Sequence, residues 1–219
     1  MKKGLIIYLI SSTLCLANIN VESIKKSEET QKYTYEFFYP KLSLNGKSLP
    51  INQEIEKINL HNIDGFKKDG SHNPHSDRPY EAQGNYKEYK NSFNITSILA
   101  STYFYTGGAH GMTGFVTYNV SNKTGKTLRF NDIFKAGAKK YFEKEIRSII
   151  NQDVKTNREN TKFFRDSSSR FVDLDNAVIF FRGDNLVIRY QQYTIAPYSS
   201  GTPEFEFSKD KIKNYLKEI

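Results

Sequence analysis

The chain has 219 residues, a formal charge of +8, a mean hydropathy of −0.63 and a single cysteine, Cys15. One cysteine excludes a disulfide framework, and roughly 200 residues suffice to bury a core without staples. The excess of base is spread along the chain and forms no dense run. That argues against nucleic acid and leaves acidic polymers, anionic head groups or acidic proteins as charge-compatible partners.

The chain opens MKKGLIIYLISSTLCLA: two lysines, a short apolar run from Leu5 to Ile10, then small and apolar residues up to Ala17. This is the layout of a secretory signal, predicted over 1–17 with cleavage after Ala17. The apolar run is too short for a spanning helix, which needs about 20 residues. Lipidation at Cys15 is the alternative, and Leu14 before it suits that poorly. No later segment reads as transmembrane. The expectation is an exported protein, periplasmic or extracellular. Loss of Lys2 and Lys3 from the formal +8 leaves +6.

Residues 18–31 are polar and read as a flexible lead. KYTYEFFYPKLSL then reads as a strand interrupted at Pro40, with Asn45-Gly46 as a turn. Pro50 suits the first turn of a helix, and Ile51, Ile55 and Ile58 share one helical face. Residues 61–83 are polar and punctuated. Part reads as a continuation of that helix, and the rest reads as a long loop. NYKEYKNSFNIT reads as one strand. SILASTYFYT, apolar on both faces, reads as a central one. GFVTYNV follows, with Val116, Tyr118 and Val120 on one face, and NKTGKT is a turn.

Asn131 or Asp132 can cap the next helix, which carries Phe142, Ile146, Ile149 and Ile150 on one face and fades near Lys155. After a second polar connection, AVIFF and LVIRYQQY flank Arg182-Gly183-Asp184-Asn185, a hairpin signal. TIAPYSSGTP is a loop, EFEF a short strand, and Ser208 caps a last helix carrying Ile212, Tyr215, Leu216 and Ile219. Helices and strands mix without regular βαβ alternation, which predicts one α+β domain over 32–219 with a largely antiparallel sheet.

Several short motifs dissolve on inspection. Gly125-Lys126-Thr127 lacks the glycine a phosphate-binding loop needs five residues earlier, where Val120 stands. Arg182-Gly183-Asp184 spells an adhesion tripeptide, but a hairpin turn already explains it. Ser208 to Lys211 matches S-x-x-K and reads as a helix cap. There is no G-x-S-x-G elbow and no H-E-x-x-H. His72 and His75, near Asp69 and Asp77, form the best metal-like cluster, yet loop spacing fixes no geometry. The expectation is a non-enzyme with no cofactor and no metal, His72 and His75 being weak candidates for one.

The stretch YFYTGGAHGMTGFVTYNV sets a histidine among glycines between aromatic strands. Gly107 and Gly108 are expected to take backbone angles that other residues resist. His110 is either a structural residue bonded to a neighbouring backbone group or part of a pocket with Tyr105, Pro197 and Tyr198. Aromatic faces suit sugars and partner loops alike.

Three pieces in order carry a resemblance: Tyr105 to Gly111; Lys123-Thr124-Gly125-Lys126 with Asp132-Ile133-Phe134; and Ile195-Ala196-Pro197-Tyr198 with Gly201. From about Tyr33 to Leu216 the chain resembles the extracytoplasmic module shared by the anti-sigma-V factor RsiV and the N-terminal part of the peptidoglycan deacetylase PdaC. The resemblance implies an α+β fold, work around the cell wall, and a surface that binds or senses lysozyme or a related wall-active protein. The sigma-binding segment and spanning helix of the anti-sigma factor, and the Asp/His motif of the deacetylase's catalytic domain, have no counterpart here, so signalling and deacetylation do not carry over. Animal-type lysozymes are basic, as is this chain, so docking would need local acid, for which Glu204 and Glu206 are candidates.

The reading is an exported cell-envelope binding module with a ligand surface of Tyr105, Gly107, Gly108, His110, Pro197, Tyr198 and Glu204. Its partner is a lysozyme-like protein or peptidoglycan, not nucleic acid. The alternatives are a glycan- or anionic-polymer-binding module and an enzyme with an unrecognised site.

Overall fold

The computed structural model describes residues 19–75, 77–166 and 171–218. The predicted signal segment, 1–17, lies outside them. The strands are β1 Ile19–Glu29, β2 Tyr33–Leu44, β3 Lys47–Ser48, β4 Tyr80–Tyr89, β5 Ile95–Tyr105, β6 Met112–Ser121, β7 Ala177–Arg182, β8 Asn185–Tyr190 and β9 Glu204–Ser208. The helices are α1 Ile51–Ser71, α2 Phe130–Ile133, α3 Ala138–Asn157 and α4 Lys209–Ile212. One sheet runs β1-β2-β4-β5-β6, with β3 paired to β2, and the other runs β7-β8-β9. Every pairing of these strands is antiparallel except β2 with β4, whose connection passes through α1. The fold is α+β, as expected, in a single domain.

Neighbouring residues of β5 show how the layers stack. Ile98 packs with Ile51 and Ile55 of α1, while Leu99 packs with Phe180 and Val187 of the second sheet. Successive strand residues point to opposite faces, so α1 covers one face of the first sheet and the second sheet covers the other. Phe181 in turn faces Phe142, Ile146 and Ile150 of α3. The order is helix, sheet, sheet, helix.

Four local expectations are corrected. Residues 19–29 are not a flexible lead but strand β1, in register with β2 from Ile19↔Leu44 to Glu29↔Thr34. Its two glutamates and two lysines over 25–29 hid it, and they suit an exposed edge. Pro40 does not interrupt β2. Leu42 N–H, two residues on, donates away from β1 to Asn52 Oδ1, so Pro40 turns its nitrogen to that same side and no β1–β2 bond is lost. NYKEYKNSFNIT is not one strand. Asn91 Nδ2 donates to the carbonyls of Tyr89 and Ile95, and Asn94 has φ 62°, which pins a turn between β4 and β5. Asp132 caps the four-residue α2 from its third position, accepting Arg129 N–H at 2.9 Å, while α3 starts after Gly137.

The Asn45-Gly46 turn is present, with both residues at positive φ, as is the Arg182–Asn185 hairpin. Of the helical face expected on α3, Phe142, Ile146 and Ile150 are buried, but Ile149 is exposed. The last helix is shorter than expected, passing after Ile212 into a 3-10 turn, Lys213–Tyr215.

Candidate binding site

Two connections meet at one end of the molecule: residues 106–111 between β5 and β6, and residues 191–203 between β8 and β9. In the first, Gly107 and Gly108 have φ of 93° and 92°, values that penalise any side chain. Tyr105 closes this turn on itself, its hydroxyl donating to Gly108 O at 3.1 Å. It is placed in the turn and has no ring contact with the other predicted residues among those described.

His110 stands exposed beyond the glycines. Its Nδ1 lies 3.0 Å from Gly111 O and its Nε2 lies 3.1 Å from Tyr193 Oη. A carbonyl only accepts, so Nδ1 donates, and Nε2 of the neutral ring then accepts from the Tyr193 hydroxyl. The imidazole stacks on Tyr198 with centroids 3.9 Å apart and planes 17° apart. Tyr193 and Tyr198 are 44% and 37% exposed, so residues 83 and 88 positions from His110 complete an aromatic surface open to solvent. Pro197 precedes Tyr198 at the start of a short 3-10 turn. His110 thus bonds a neighbouring backbone group and stacks on Tyr198, in the loop that carries Pro197.

The two glutamines that place Tyr193 were not among the expected site residues. β6 is the last strand of its sheet, and its outward backbone groups need partners. Gln191 supplies them to Phe115: its Oε1 accepts Phe115 N–H at 2.9 Å and its Nε2 donates to Phe115 O at 2.8 Å. Gln192 Oε1 accepts Thr113 N–H at 2.8 Å. These bonds tie the second loop to β6 and deliver Tyr193 to His110. Tyr193 itself has φ 62°, a left-handed conformation that is unfavourable for tyrosine. Only the run Gln-Gln-Tyr after an apolar strand hinted at any of this.

Beside the rings lies a cavity of about 400 Å³ on the α1 face of the first sheet. Ile58 of α1 and Phe104, Met112, Gly114 and Val116 of the strands line it, with Gln192 at its edge. Val116 lies on the same face of β6 as Tyr118 and Val120, as expected. It is 37% exposed and Met112 43%, while Tyr118 and Val120 are buried against α1. The described lining contains no ionisable side chain, in a chain that is 26% charged.

Glu204 is not part of this surface's ring cluster. It pairs with Arg182 at 2.7 Å and with Arg189, while Glu206 pairs with Arg182 at 2.5 Å. Burial alone would raise the Glu204 carboxyl, but the Arg182 hydrogen bond and the Arg189 charge outweigh it and hold the group below the usual range. These carboxylates are neutralised within the sheet and offer no free acidic patch. His72 ends α1 with Nδ1 2.7 Å from Lys68 O, and His75 donates its backbone N–H to Asn73 Oδ1. Among the described residues no three His, Cys, Asp or Glu side chains gather as metal ligands would. No helix among them is long and apolar enough to cross a membrane.

Residues 24–113 match the family model described as Deacetylase PdaC, and residues 131–210 match the protein family of unknown function DUF3298. The two matches follow one another along the chain. The residues matching the first model cover most of the first sheet, α1 and the glycine turn with His110, and those matching the second cover α3, the second sheet and the loop with Tyr193 and Tyr198. The ring cluster is therefore assembled across the two. The crystal structure of a DUF3298 family protein from Pseudomonas aeruginosa PAO1 is similar in fold, with a TM-score of 0.61 at 16% identity over 92% of this chain and 94% of that one. A DUF3298 family member from Bacteroides fragilis NCTC 9343 gives 0.53 at 14% identity over 93% and 95%. No curated protein matches the sequence.

Proposed function

We propose that the chain is an exported, non-enzymatic binding module of the cell envelope whose partner is a wall-active protein of the lysozyme type. The observation that carries this is the exposed cluster of His110, Tyr193 and Tyr198, built from two distant connections and held in a strained backbone at Tyr193. Aromatic side chains are the commonest anchors of protein interfaces because they bury much area for little lost rotamer freedom. Strain is retained where the surrounding structure and a function require it. The resemblance to the lysozyme-binding module supplies the partner class.

Charge does not attract this partner. Glu204 and Glu206 are already paired, and the chain is basic overall. Docking through the rings and the uncharged groove is then insensitive to salt, or strengthened as salt screens like charges. The test is a lysozyme activity titration with protein lacking residues 1–17. Near-stoichiometric inhibition supports the reading, and no inhibition across a wide excess removes an inhibitory role. A second reading, a wall glycan, is favoured by the open faces of Tyr193 and Tyr198, on which sugar rings stack. Retention of the protein by isolated wall material, lost with Tyr198→Ala, would select it.

A further inference from the structure

We infer a second ligand site, a cavity of about 320 Å³ between the first turns of α1 and strands β1 to β3, suited to the phosphate monoester of a small polyol. It stands apart from the ring cluster. β2 passes the glycine turn at Tyr33, whose partner Tyr80 lies beside Gly107, and reaches Tyr39 about 20 Å further on.

Ile24 of β1 and Tyr39 of β2 are direct partners, and both contribute to the core beneath α1. Lys26 and Lys41 stand two residues further along their strands and so share that face. Both lysines line the cavity, and neither has an ion pair among the described residues. Pro50 holds the cap position of α1 and no side chain caps the helix there, so the positive end of a 21-residue helix dipole lacks a side-chain acceptor. Tyr39 also lines the cavity. It is only 4% exposed, and its hydroxyl has no hydrogen-bond partner among the described residues. A buried hydroxyl left unpaired is costly, and a bound acceptor removes that cost. Burial, and then the charge of Glu56, push the Tyr39 pKa up, so the group stays a protonated donor.

A phosphate monoester carries roughly −1.5 to −2 charges at neutral pH and three strong acceptor oxygens. That matches two ammonium groups and a phenol hydroxyl, whereas a diester or a carboxylate brings a single charge. Glu56, on the helical wall, repels a bare anion but accepts hydrogen bonds from hydroxyl groups. Ser48 and Gln53 add neutral polar groups to the lining. The phosphate therefore faces Lys26, Lys41 and Tyr39, and the rest of the ligand is a hydroxylated chain small enough for the cavity.

The experiment titrates glycerol 3-phosphate, the diester glycerophosphoglycerol, inorganic phosphate and glycerol into the protein, each to millimolar concentration, with backbone amides read by NMR. Glycerol 3-phosphate is expected to shift Asn52 and Gln53 and to bind at least about fivefold tighter than the other three. Lys26→Ala and Lys41→Ala should each weaken it at least about fivefold. Lys25→Ala, on the opposite face of β1 and paired with Glu36, should leave it unchanged. Tyr39→Phe should weaken binding while the melting temperature of the free protein holds or rises, because an unpaired buried hydroxyl is removed. An absence of shifts at Asn52 and Gln53 overturns the proposal. So does equal binding of the diester, which discards the match to a dianion, or of inorganic phosphate, which leaves no role for the polyol. Binding that is unchanged in Tyr39→Phe, or in both lysine variants, overturns it as well.

Discussion

Ser97 Oγ donates a 2.7 Å hydrogen bond to Asn119 Oδ1 inside the seam between the two sheets. Both residues are buried, and each also serves β7: Ser97 Oγ accepts Phe181 N–H at 2.8 Å, and Asn119 Nδ2 donates to Ile179 O at 2.9 Å. Two side chains of the first sheet thus satisfy the outer edge of the second, as Gln191 and Gln192 satisfy β6 in return. Removing the Ser97 hydroxyl strands the Phe181 N–H and one lone pair of Asn119 in the seam. Ser97→Ala is expected to cost about 2–3 kcal/mol, read as a lower urea midpoint with an unchanged slope.

Acid should act through Glu204. Its folded-state pKa lies below the ordinary value of 4.5, so its pairing with Arg182 and Arg189 stabilises the fold above that value and is lost as pH falls below it. Glu204→Gln is expected to lose about 1–3 kcal/mol at neutral pH, because Arg189 keeps a half-buried charge with a weaker partner. Unfolding followed from pH 7 downward should show the variant's stability falling less steeply than that of the wild type below pH 4.5.

Two strand glycines should respond oppositely to one methyl group. A Cβ at Gly84 would overlap the ring of fully buried Phe37, whereas one at Gly114 meets open space. Gly84→Ala is expected to lose about 1–3 kcal/mol by overpacking. Gly114→Ala should hold or gain up to about 1 kcal/mol, since glycine weakens a strand. Thermal melts of the two variants check both signs.

Tyr193 should be a residue that the fold does not need. Asparagine tolerates its left-handed conformation better, and the ring is already 44% exposed. Tyr193→Asn is expected to stay within about 1 kcal/mol of the wild type. A collapse of the melting temperature would instead make the ring cluster a structural element.

The sequence was most informative where local chemistry decides the outcome. Asn45-Gly46 and Gly183-Asp184 turn as their residue types require, and Ile51 with Ile55, and Phe142 with Ile146 and Ile150, mark the buried helix faces. It was least informative where partners lie far along the chain. The strand nature of 19–29 comes from pairing with β2, and the exposure of Val116 from where α1 stops covering β6. In the site, the glycine turn, His110 and Tyr198 were legible as aromatic and glycine signals. The glutamine supports of Tyr193 were not, because a side-chain amide bonded to a strand 76 or 79 residues away leaves no local pattern.

The most direct test of the aromatic surface is a calorimetric titration of lysozyme into wild-type protein and into Tyr198→Ala, each at low and high salt. Binding to the wild type is expected to hold or strengthen with salt, and to weaken at least tenfold in Tyr198→Ala while the fold stays intact. Binding that is unchanged in Tyr198→Ala, or that vanishes for the wild type as salt rises, would contradict it.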